Sequence, residues 1–151
     1  MIEWYSNKRV GIFFDKIPTL GIRYYIPSMT KEEKKSIEKY PFICKSSLEV
    51  ILYNKKNEKT YNFTIPKGYC YDGASIPRLF WRIVGANTDN KFLIAALIHD
   101  VLCEHHDFIE NDRSFSTNVF NALLEASGVT PLKRFLMKNS VASFQTLFCH
   151  W

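Results

Sequence analysis

A histidine and an aspartate stand side by side in the run AALIHD, as His99-Asp100, and a second aspartate, Asp112, stands in the run NDRSF further along. An imidazole oriented by a carboxylate is the arrangement of a general base, or of a metal ligand with its supporting shell. His99 falls on the apolar face of a helical pattern, where an unpartnered imidazole costs roughly 1–3 kcal/mol. Asp112 precedes Phe115 and Val119 at helical spacing, which turns it inward. A short connection between the two helices favours antiparallel packing, so His99 and Asp112 are expected to meet as a catalytic pair. Asp100 points about 100° away around its helix. With Asp72 it offers oxygen ligands of the kind calcium and magnesium take. No cofactor is certain from the sequence; a divalent cation, calcium or magnesium, is the one it could use.

The third segment is GYCYDGASIP, Gly68 to Pro77. Gly73, Ala74 and Ser75 are small enough to let backbone approach a ligand, and amides ahead of a helix start attract an anion. Asp72, Gly73, Ala74, Ser75 and Arg78 are therefore the candidate ligand-binding set. Each residue also has an ordinary reading: Asp72-Gly73 as a turn, Ser75 and Asp112 as helix caps, His99 as a satisfied core histidine. His105 and His106 follow Glu104 in a polar stretch and read as exposed loop. GxSxG, GxGxxG, Walker A and HExxH motifs are absent, so nothing points to a serine nucleophile, a dinucleotide or a helical zinc site.

The elements that must position these residues differ between the two halves. Residues 1–66 are mainly β, with strands expected at Val10–Phe14 and Gly21–Ile26. A hairpin joins Leu48–Tyr53 to Tyr61–Ile65 across the polar turn NKKNEKT. Alternation puts Tyr61, Phe63 and Ile65 on one face and Asn62 and Thr64 on the other; Pro66 ends the strand. Thr30 can cap a short exposed helix over TKEEKKSIEK. Residues 76–148 are mainly α, with helices at Pro77–Val84, Lys91 to about Cys103, Asp112–Ala126, and from Pro131 towards Phe148. Gly85 and Gly128 act as stop signals. The expected fold class is α+β: one domain over 1–151, a small N-terminal antiparallel sheet packed on three to four C-terminal helices.

Composition bounds the function. The chain has 151 residues, enough for one domain; 46% are hydrophobic and 23% charged, which excludes wholesale disorder. Aromatic residues reach 15%, enough for a sizeable core. A net charge of +5 is too mild to identify a nucleic-acid binder, and nucleic acid is not an expected partner. The start, MIEWYSNKRVGIFF, lacks signal-peptide layout, and the most apolar stretch, Phe92–Ile98, is too short to span a bilayer. Cys44, Cys70, Cys103 and Cys149 form no CxxC pair and read as reduced thiols of a protein made in the cytoplasm.

The run TIPKGYCYDGASIPRLFWRIVG, then AALIHD, then NDRSFSTNVFNALLEASGV, resembles the domain-of-unknown-function family numbered 1353, over about residues 46–130. That family occurs in tailed bacteriophages, prophages and bacteria. Its pattern is a strand leading into D-G-A-S-[IV]-P, an H-D pair on a helix, and an Asp heading the next helix with an aromatic three residues on. Asp72 to Pro77, His99-Asp100, and Asp112 with Phe115 match it. Cys103 departs from the pattern, since members often carry Tyr there. The resemblance implies a phage setting and a candidate site, without a reaction. A looser analogy is to secreted phospholipases A2, where an H-D pair meets an Asp from an antiparallel helix; this chain lacks their usual calcium loop and bracing disulfides.

Three functions follow as expectations. One is a virion-associated tail or baseplate component of a tailed phage, structural or assembly in role. Its partners would be other virion proteins or further copies of itself, with a buried His-Asp site bracing its fold. Another is a metal-assisted hydrolase of cell-envelope lipid or peptidoglycan, with His99 as general base. The last is a host-directed binding protein.

Overall fold

In the computed structural model, residues 1–71, 90–132, 134–136 and 139 are described, with backbone alone for 90–92. The expected helix at Pro77–Val84 lies outside them, as does the end of the last helix; residues 131–132 and 134–136 are helical.

Four antiparallel strands form the main sheet: β1 (Ile2–Ser6), β2 (Val10–Phe14), β5 (Leu48–Asn54) and β6 (Lys59–Ile65), in the order β1-β2-β5-β6. Strict alternation in β5 and β6 sends every second side chain to one face. The register then aligns Leu48 with Ile65, Val50 with Phe63 and Leu52 with Tyr61. Next door, Phe14 pairs with Val50 and Ile12 with Leu52. All of these side chains are buried, so a slip of one residue would turn the whole apolar set to water. β1 carries a register shift between Glu3 and Tyr5, and Trp4 packs on Phe14 with ring centroids 5.5 Å apart.

Between β2 and β5 the chain makes an excursion. It runs through β3 (Leu20–Ile22), α1 (Lys31–Lys39) and β4 (Phe42–Cys44) before returning. β3 and β4 pair with β7 (Cys70–Tyr71) as a second, three-stranded sheet, order β3-β4-β7. The neck of the excursion is closed at Asp15: its Oδ1 accepts from the Glu49 amide at 2.8 Å, and its own amide donates to the Glu49 carbonyl at 3.2 Å. Helix α1 starts where Thr30 Oγ1 accepts from the Glu33 amide at 3.2 Å, a capping arrangement legible in T-x-x-E. β3 stops at Ile22, short of the expected Ile26.

The helices follow: α2 (Asn90–Glu104), the short α3 (His106–Ile109) and α4 (Arg113–Ala126). Every described side chain from Leu93 to Cys103 is buried, so α2 is enclosed all round rather than one-sided as the spacing suggested. α4 lays its Phe115–Val119–Leu123 stripe against the main sheet. Phe115 stacks on Tyr61 of β6 at 4.5 Å, and Tyr5 Oη donates to Glu125 Oε2 at 2.8 Å. α4 is followed, past its cap Ser127, by Gly128, whose φ of 78° suits glycine. One apolar cluster joins both sheets, α2 and α4, so the molecule is α+β with N-terminal antiparallel sheets and C-terminal helices.

The cysteines depart from expectation. Cys44 and Cys70 are free thiols, but Cys103 on α2 is disulfide-bonded. Among the described residues, no helix is long and apolar enough to cross a membrane.

Candidate functional site

His99 sits on α2 five residues before its end, and Phe120 lies seven residues into α4. Their rings meet at 4.9 Å, the contact a helical hairpin produces. His99 is completely buried. Burial alone lowers its pKa to about 4, so the ring is neutral at physiological pH.

Asp112 does not face that ring. It is exposed, with non-helical φ −101° and ψ 166°, and it is the N-cap of α4. Its Oδ1 accepts from the Phe115 amide at 2.6 Å. The carboxylate satisfies its own helix's orphan amide, and its charge bears on Tyr61, whose phenol pKa is raised by burial first and by Asp112 second. Among the described residues no hydrogen bond or ion pair joins His99 to Asp112.

Asp100 is buried beside its neighbour, 3% exposed. Its charge acts on Tyr71, the last described residue before 72–89. Tyr71 is fully buried, its hydroxyl donates to the Leu93 carbonyl at 3.2 Å, and Phe42 packs 5.5 Å away. Its phenol pKa is raised, by burial most, then by Asp100, then by Cys44. Asp100 of α2 and Cys44 of β4 thus both bear on the buried Tyr71 phenol of β7. A carboxylate there must be compensated by hydrogen bonds or charge. Asp72, Gly73, Ala74, Ser75 and Arg78 lie outside the described residues. No group of three or more His, Cys, Asp or Glu side chains among the described residues could hold a metal ion.

A second polar group was not legible from spacing. Tyr69 Oη donates to Glu104 Oε2 at 2.7 Å and lies 3.3 Å from His105 Nε2. His105, expected as exposed loop, is exposed, but it is joined to the turn before β7. Glu104 and His105 close α2 while Tyr69 follows β6, so only the packing of that helix end against the sheet brings them together.

The family model described as "Protein of unknown function (DUF1353)" matches residues 48–141, more than half of the chain. The chain belongs to the DUF1353 family. The match begins at the first residue of β5 and contains His99, Asp100, Asp112 and the Tyr69–Glu104–His105 group; β1, β2 and the excursion precede it. The chain is also similar to the uncharacterized protein y4jT of Sinorhizobium fredii (strain NBRC 101917 / NGR234), 35% identical over 80 residues. That similarity covers 53% of this chain and 23% of y4jT, so the chain spans about a quarter of that curated relative. No solved structure matches.

Proposed function

We propose that the chain is a structural or assembly component of a tailed-phage particle, associated with tail or baseplate, and that its excursion between β2 and β5 is a contact surface. The observation that carries this reading is apolar exposure in one short stretch: Ile17 is 65% exposed, Tyr24 74%, Tyr25 52% and Ile26 54%. Single exposed apolar residues are ordinary, but a group of them marks an interaction surface. The stretch is held in place rather than loose. Tyr25 Oη donates to Glu38 Oε1 at 2.9 Å, and Arg23 Nη1 donates to the Tyr40 carbonyl at 3.0 Å and the Ser36 carbonyl at 3.3 Å. Tyr25, Ile26 and Pro27 line a shallow depression of about 450 Å³ with Lys34 and Glu38 of α1, an apolar centre with a charged rim as interfaces have.

The phage setting rests on the family resemblance. Hydrolysis through His99 gains no support: a base that activates water must be reachable by water, and Asp112 is engaged as a cap. Mass spectrometry of purified particles tests the role. The chain is expected in stoichiometric amount, and its absence from infectious particles overturns the proposal. Replacing Tyr24 and Ile26 together by Ser is expected to lower incorporation while leaving the melting temperature unchanged.

A further inference from the structure

A depression of about 450 Å³ lies where the turn between β1 and β2 meets the first half of α4. Arg9 lines it from the turn, and Arg113, Ser114, Thr117 and Asn118 line it from one stripe of the helix. The turn that presents Arg9 is fixed in place. Asn7 Oδ1 accepts from the amides of Arg9 at 2.9 Å and Val10 at 3.0 Å. The Arg9 carbonyl accepts from the Lys55 amide at 3.0 Å, and the Asn7 carbonyl from Lys55 Nζ at 2.7 Å. Arg9 Nη1 donates to Asn118 Oδ1 at 3.2 Å, which aims the guanidinium at α4.

Two guanidiniums therefore line one depression, and each is a planar fork of several N–H donors matched to phosphate oxygens. A single bond to Asn118 leaves Arg9 most of its fork. The Ser114 hydroxyl and the Asn118 amide NH2 add neutral donors, while the buried Thr117 hydroxyl is engaged on the Arg113 carbonyl at 3.0 Å. None of the described lining residues is acidic. The neighbouring acid, Asp112, is exposed and does not line the depression. Its Oδ1 and its carbonyl accept from the amides of Phe115 at 2.6 Å and Ser116 at 3.1 Å. Those helix amides are thus occupied, and recognition falls to side chains. Two fixed positive charges match a dianion better than a singly charged group.

We infer that this depression binds a phosphate dianion, free or as a monoester, held between Arg9 and Arg113 with Ser114 and Asn118 donating. NMR titration of the full chain near pH 7.5 tests it with phenyl phosphate and inorganic phosphate, both largely dianionic there, and dimethyl phosphate, a monoanion. Phenyl phosphate at millimolar concentration is expected to shift the amide signals of Arg9, Ser114, Thr117 and Asn118, with dimethyl phosphate at least about fivefold weaker. Tighter binding of phenyl phosphate than of inorganic phosphate assigns the ester, and the reverse assigns the free ion; either sustains the dianion. Arg9→Gln and Arg113→Gln are each expected to weaken phenyl phosphate about fivefold. Lys56→Gln, which removes the same charge from an exposed position in the neighbouring turn, is expected to leave the affinity unchanged. Ser114→Glu puts a carboxylate in the depression at a helix position that favours one, and is expected to abolish binding without lowering the melting temperature. The proposal is overturned by any of four results: no shift at these amides, dimethyl phosphate binding as tightly as phenyl phosphate, Lys56→Gln weakening binding as much as Arg9→Gln, or binding retained in Ser114→Glu.

Discussion

Enclosing an imidazole has a measurable consequence at the scale of one residue. The pKa of His99 is about 4 in the folded chain against 6.5 as the ordinary value, because burial disfavours the charged ring. Below pH 6.5 the unfolded chain therefore binds a proton that the folded chain refuses. The stability tied to the neutral ring is fully present above pH 6.5 and is lost as pH falls towards 4, about 3 kcal/mol in all, most of it by pH 4.5. Urea unfolding at pH 7.5, 5.5 and 4.5 checks this, and His99→Gln is expected to flatten the acid slope by that amount. Asp112→Ala is expected to cost about 1 kcal/mol through loss of the cap, whereas Asp112→Ser retains most of it; melting temperatures of the two variants separate a cap from a residue needed for its charge. The burial of His99 was legible because it lies within a helix, where spacing gives direction. The direction of Asp112 was not. A cap residue has left the helical φ and ψ, so projecting it onto the helix face of Phe115 and Val119 fails one residue too early.

At the scale of elements, long patterned segments were readable and short ones were not. β2, β5, β6, α1, α2 and α4 announced themselves through alternation, capping or apolar spacing, since each carries enough side chains to express a period. β4 and β7 have three and two residues and exist because Phe42 pairs with Tyr71 and Ile43 with Cys70, partners that no local pattern announces. The Tyr69–Glu104–His105 group was hidden for the same reason. The turn between β5 and β6 was placed correctly, but its strain was not visible: Glu58 holds φ at 60°, a conformation costly for a side chain with a Cβ. Glu58→Gly is expected to raise stability by about 1 kcal/mol. Thermal unfolding reads this directly, and an unchanged or lowered midpoint would count against a strained turn.

At the scale of the molecule, the two sheets and the helices share one apolar cluster, and Cys103 of α2 is held in a disulfide. Cys44 and Cys70 are free thiols and Cys103 is bonded. Alkylation under denaturing, non-reducing conditions is therefore expected to modify Cys44 and Cys70 and to spare Cys103, which reacts only after reduction. Peptide mapping identifies them; labelling of Cys103 without reductant would refute the tie. Composition could not reveal it, because spacing alone does not distinguish a bonded cysteine from a buried thiol.

Asp15 and Glu49 clasp each other at the point where the chain leaves the main sheet and comes back. A detour that departs and returns at adjoining rungs of one ladder can change its length or its outward chemistry without shifting any rung. Such a layout lets an outward-facing appendage be rewritten while the β2–β5 pairing keeps its alignment.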